Sequence, residues 1–108
     1  MKLPEDEIIV MDIAGNQAVI ACSNPSKTAA LYELGFALKV DRLVHAIGDD
    51  EQRKSIVLKL LGLDALFSAG RDWSPAELLD FYREKGVIDG CYRVISWRGP
   101  GDYSISIR

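Results

Sequence analysis

The segment EIIVMDIAGNQAVIACS, residues 7–23, constrains the fold of this chain more than any other. Two runs rich in β-branched residues flank Gly15-Asn16, and glycine supplies the positive φ that a two-residue II′ hairpin turn requires. Both runs are apolar at consecutive positions, Ile8 to Met11 and Ala18 to Ala21. A strand with one wet face alternates with period two, whereas a continuous run is apolar on both faces. The hairpin therefore needs cover on two sides, and the rest of the chain must supply it.

The chain has the means to do so. Its 108 residues fit one domain, residues 1–108, which would bury roughly two-thirds of its extended surface. A hydrophobic fraction of 48% with a net charge of −3 belongs to a globular chain rather than a disordered one. No apolar run approaches the ~20 residues of a membrane-spanning helix. The opening MKLPEDEIIV has acids where a secretory signal would have its apolar core. Cys22 and Cys91 make no disulfide framework. These features lead to the expectation of a cytoplasmic protein with reduced thiols and no membrane partner.

Three helices are expected between two hairpins. In NPSKTAALYELGFALKVDRLVHAIG, residues 24–48, Asn24 suits an N-cap and Pro25 the first helical position. At 100° per residue, Ala29, Tyr32, Phe36, Val40, Leu43, Val44 and Ile47 share one stripe. Gly35 competes, since a stop at Leu34 would leave Phe36, Leu38 and Val40 alternating as a strand. A helical glycine costs only ~1 kcal/mol relative to alanine, so the stripe decides for one long helix. In GDDEQRKSIVLKLLG, residues 48–62, Asp49 and Gln52 form a capping box and Gly62 closes a second helix, with LDALF adding a further turn. In DWSPAELLDFYREKGV, residues 72–87, Ser74 caps, Pro75 leads and Glu77 completes the box. Trp73 and Leu78 are placed as a staple, and Gly86 stops the helix. CYRVISWRGPGDYSISI, residues 91–107, reads as a second hairpin turning at Gly99-Pro100-Gly101. The expected fold is α+β in the order ββαααββ: two β-hairpins forming a four-stranded, mostly antiparallel sheet packed with three helices.

Candidate chemistry is sparse. ACSNPSKT, residues 21–28, has the spacing of a phosphate-binding loop, with Ala21 and Ser26 where its glycines would stand. Such a loop curls so that its N–H groups face the phosphate, and Pro25 deletes one of them. What remains is a helix start at which Ser26, Lys27 and Thr28 would attract an anion. His45 is the single histidine and no C-x-x-C pair exists, so no metal is expected. Cys22 with His45 would make a thiolate–imidazole pair, but Cys22 ends an apolar strand and reads better as core. No catalytic residue is assigned and no cofactor is expected.

Two regions suit a partner. The acids at 5–7 and 48–51 lack the alternation of a calcium loop. Asp49, Asp50 and Glu51 are instead candidates for an acidic rim that meets a basic protein. On the last hairpin Arg93, Trp97, Arg98, Tyr103 and Arg108 interleave base and aromatic, as nucleic-acid-binding sheets do. Core aromatics and edge-strand arginines account for the same residues, which leaves Trp97 and Arg98 as partner-binding candidates. ALYELGF, residues 30–36, is similar to the helix-end phrase of acetyltransferase-like folds. That similarity spans seven residues, and the family's glycine-rich acyl-CoA loop is missing, so no family is assigned. The leading expectation is a protein-binding module acting by occupancy, such as an immunity or inhibitor protein that neutralises a toxin or enzyme. The alternatives are a nucleic-acid-associated regulator using the C-terminal hairpin, and a small enzyme or anion-binding protein at Asn24–Thr28.

Overall fold

The structure, a computed structural model, describes residues 7–70, 74–99 and 102–108. Ten elements follow one another: β1 (Ile9–Asp12), β2 (Gln17–Ala21), α1 (Pro25–Glu33), β3 (Ala37–Lys39), β4 (Arg42–Ala46), α2 (Asp50–Gly62), β5 (Leu66–Ala69), α3 (Pro75–Glu84), β6 (Arg93–Gly99) and β7 (Asp102–Ile107). The strands form one seven-stranded mixed sheet in the order β3-β4-β2-β1-β5-β6-β7. Only β1-β5 and β5-β6 run parallel. Both expected hairpins and three helices are present, but the four-stranded sheet and the order ββαααββ are overturned.

Gly35 accounts for the first difference. It sits at φ +103, and a Cβ there would stand 2.9 Å from His45 Nε2. Phe36 N returns to Leu31 O at 3.1 Å, which ends α1 in the manner of a glycine-stopped helix. The chain then forms the β3–β4 hairpin, with Lys39 opposite Arg42 and Val40 at φ 58 in the turn. The seven-residue stripe fits a helix by angle, but five of its members lie beyond a stop that only glycine tolerates.

The second difference is LDALF. It contains no helical turn but the start of β5, inserted between β1 and β6 with Leu66 and Phe67 fully buried on opposite faces. A short run apolar on both sides suits a helix segment or a buried strand equally, so its periodicity decides nothing. Gly62 is the last residue of α2, and the left-handed position after that helix belongs to Asp64, at φ 61.

Smaller corrections concern turns and caps. The β1–β2 connection runs through residues 13–16 beside a bulge in β1, and Gly15 lies outside the left-handed region, so it is no II′ turn. Arg53 of α2 holds it by donating to Ile13 O at 3.1 Å and Gly15 O at 2.8 Å. Ser74 precedes α3, but its hydroxyl donates to the Glu77 carboxylate at 3.1 Å and caps no backbone N–H. Gly86, at φ +77, ends α3 as expected, and Val87 N bonds to Tyr82 O at 2.9 Å. Trp73 with its staple, and Pro100 and Gly101 of the last turn, lie outside the described residues.

All three helices pack on one side of the sheet. Leu31 of α1, Leu60 of α2 and Leu79 and Tyr82 of α3 join Val10, Ile20, Phe67 and Val94 in the main core. Among the described residues, no helix is long and apolar enough to cross a membrane.

Candidate interaction surface

Strand pleating sends alternate side chains to the face that the helices leave. There Ile9, Ala21, Leu66 and Ile95 form a second cluster, packed against by Met11, Trp97 and Tyr103. Every member of this cluster is a strand residue. The β6–β7 register extends the surface outward, setting Trp97 opposite Tyr103, Ile95 opposite Ile105 and Arg93 opposite Ile107. The Trp97 and Tyr103 rings meet edge to face at 5.6 Å, so Trp97 turns against a neighbour instead of offering both its faces. Beyond them Ile105 is 44% and Ile107 70% exposed. The face is thus sealed at its centre and open and apolar towards β7.

Arg93 is committed to acids, and Arg98 has only a long, exposed pair. Arg93 pairs with Glu7 at 2.9 Å and with Asp64 at 3.0 Å. Arg98 stands 3.8 Å from Asp102. The interleaved bases and aromatics of the sequence therefore form no row of unpaired cations beside stacking rings.

The other candidates fall elsewhere. Asp49, Asp50 and Glu51 open α2, on the helix layer, away from the open face that carries Trp97. Asp49 accepts from Gln52 N at 2.8 Å, while the Gln52 side chain accepts from Gly48 N at 2.6 Å. Asp50 pairs with Arg53, and Glu51 with Lys54 at 3.4 Å. The acidic stretch is a helix start that answers its own cations. At Asn24–Thr28 the donors are likewise engaged. Asn24 Oδ1 accepts from Ser26 N at 2.9 Å and Lys27 N at 3.1 Å, and Thr28 N bonds to Asn24 O at 2.9 Å. Pro25 has no N–H, so an anion at this helix start would have to displace internal bonds.

His45 lies on β4 opposite Ala18. Cys22 is four residues further along than Ala18, roughly 13 Å at the strand rise, so no thiolate–imidazole pair forms. The His45 ring packs against Phe36 at 5.2 Å. Both cysteines are free thiols, with Cys91 exposed. Among the described residues, no three His, Cys, Asp or Glu side chains are grouped to hold a metal ion.

Two clefts remain. One of about 280 Å³ is lined by Ala14, Asp50, Arg53, Leu78, Phe81 and Tyr82. The Tyr82 hydroxyl is buried without a hydrogen-bond partner. Burial raises its pKa above the usual value of 10.0, and Asp50 adds to the rise, while Arg53 opposes it by its charge and by a contact short of good hydrogen-bond geometry. The other cleft, about 350 Å³, lies at the opposite end of the parallel strands and includes Cys91, Tyr92, Arg93 and Ile107. The Tyr92 hydroxyl is also buried and unpartnered.

Reading from sequence found Trp97 and missed Ile105 and Ile107. The signal was present: DYSISI alternates Tyr103, Ile105 and Ile107 with small polar residues. No protein-family model matches the chain, and neither a curated protein nor a solved structure gives a significant match.

Proposed function

We propose that this chain is a protein-binding module that acts by occupancy through the open face of its sheet. The carrying observation is the apolar surface running from Met11 and Trp97 to Tyr103, Ile105 and Ile107, with no helix over it among the described residues. Contiguous exposed apolar surface marks contact sites for proteins more than for charged ligands. The pairing of Arg93 with Glu7 and Asp64 favours a protein over a nucleic acid, whose affinity depends on cations free to meet phosphates. An inhibitor or immunity protein that covers another protein's working surface is the concrete form of such a module.

The test is retention of a partner from extract of the native host, with and without nuclease. Met11→Glu alters the middle of the face and leaves the outer strand untouched, and Trp97→Ala removes its aromatic anchor. A stoichiometric protein that survives nuclease and is lost with either folded variant is expected. Salt-sensitive recovery of RNA or DNA, abolished by nuclease, would replace this reading with the nucleic-acid one.

A further inference from the structure

The two edges of the sheet are built differently. β3 has three residues, ends in Lys39 and turns at once through Val40. Short edge strands with lysine discourage pairing with other chains. β7 has six residues, DYSISI, with neither lysine nor proline, and is the last strand of the sheet. Among the described residues no strand pairs with its outer backbone groups, and its apolar side chains Ile105 and Ile107 are exposed.

Hydrogen-bond parity determines which groups point outward. Tyr92 and Arg108 exchange both of their backbone bonds, at 3.2 and 3.0 Å. In an antiparallel ladder such pairs alternate, so Ser106 and Ser104 also bond to β6. Tyr103, Ile105 and Ile107 direct their N–H and C=O groups away from the sheet, and their side chains lie on the open face.

We infer that β7 pairs antiparallel with β7 of a second copy of this chain, about a two-fold axis at Ile105. This register sets Ile105 opposite Ile105 and Tyr103 opposite Ile107, uses all three outward residues, and forms about six backbone hydrogen bonds. It also sets Asp102 of each copy opposite Arg108 of the other. A shift by one residue breaks the bonding parity. A shift by two loses an outward pair and the charge match. The present partners of these two charges are exposed, Arg98 at 3.8 Å from Asp102 and Asp80 at 3.0 Å from Arg108. Surface pairs of this kind contribute little, so they exchange readily for a cross-strand partner. The side chains add an apolar stripe, with Ile105 at 44% and Ile107 at 70% exposure in the single chain. Pairing joins two sheets into one and makes their open faces continuous. The inference concerns the edge and stands apart from the partner proposed for the face.

Sedimentation equilibrium of the chain from low micromolar to millimolar concentration provides the test. A reversible monomer–dimer equilibrium is expected. Ile105→Pro removes an outward N–H that β6 does not use, a place where an edge strand accepts proline, and should raise the dissociation constant by at least about tenfold. Charge exchange provides a second test that leaves the backbone alone. Asp102→Arg or Arg108→Asp alone sets like charges opposite each other and should weaken the dimer, while the double exchange should restore it. A chain that is monomeric throughout this range overturns the inference. So does a dimer that a folded Ile105→Pro variant retains, or one that the double charge exchange fails to restore.

Discussion

The helix-covered face and the open face of this sheet solve one problem by different means. On the first, Phe67 is closed over by helices, with Leu79 and Tyr82 of α3 in the same core. On the second, Leu66, its chain neighbour, is equally buried, and among the described residues its cluster consists of strand side chains. The two residues pass through the same backbone plane and differ only in what covers them. A helix layer provides a closed core. A layer of strand side chains closes only the middle of the sheet, because at the margin it has no further strand to lean on. That is why exposure rises from Ile95 to Ile105 and on to Ile107.

The largest expected difference tests this contrast directly. Phe67→Ala should cost about 3–5 kcal/mol, the usual loss for a buried aromatic. Trp97→Ala, on the half-covered side, should cost about 2 kcal/mol, mainly the edge-to-face pair with Tyr103 and part of the buried area. Urea unfolding of both variants makes the comparison. Equal losses would mean that the open face is as closed as the other.

A smaller effect sharpens the contrast from the helix side. The Tyr82 hydroxyl is buried without a partner. Tyr82→Phe should therefore change stability by less than about 1 kcal/mol at neutral pH, because it gives up at most a poorly aligned contact with Arg53. The pH dependence follows from the raised pKa of this phenol. The folded chain keeps the proton above the pH at which the unfolded chain releases it. The stability that this confers is complete below pH ~10 and is lost as pH rises through the folded pKa. Tyr82→Phe should flatten the alkaline decline of the urea midpoint. An unchanged decline would assign it to other groups.

The parts legible in the sequence were those fixed by neighbours a few residues away. Pro75 and Gly86 bracket α3, Asp49 starts α2, and two alternating or apolar runs close each hairpin. What escaped was decided at a distance. β5 is a strand because β1 and β6 wait on either side of it, and nothing within LDALF records that. The same holds for residues 36–47, where the sequence shows Gly35 as a small helical penalty and not its φ of +103 or the lack of room for a Cβ beside His45. The candidate surface was half legible. Trp97 stood out as an aromatic, but no local pattern says that α1, α2 and α3 all cross on one side, and that shared side is what leaves the other open.

The parallel seam has a consequence for how the chain reaches this state. β1 and β5 meet through two residue pairs, Ile9 with Leu66 and Val10 with Phe67, the shortest ladder but one parted by on the order of sixty residues of chain. The antiparallel β1–β2 and β6–β7 hairpins close much shorter loops, and the parallel β5–β6 pair, Leu66 with Arg93, closes one of intermediate length. Contacts that close long loops form slowly relative to local ones. The hairpins should therefore be protected early in refolding, and pulse-labelled amide exchange should find the amides of β2 and β6–β7 shielded before Leu66 N, which bonds to Ile8 O at 2.7 Å. During that interval each half carries a bare strand edge made for the other. At high concentration the missing half can come from a neighbouring molecule, so slow refolding in crowded solution should yield exchanged dimers, held across the seam and released only by unfolding.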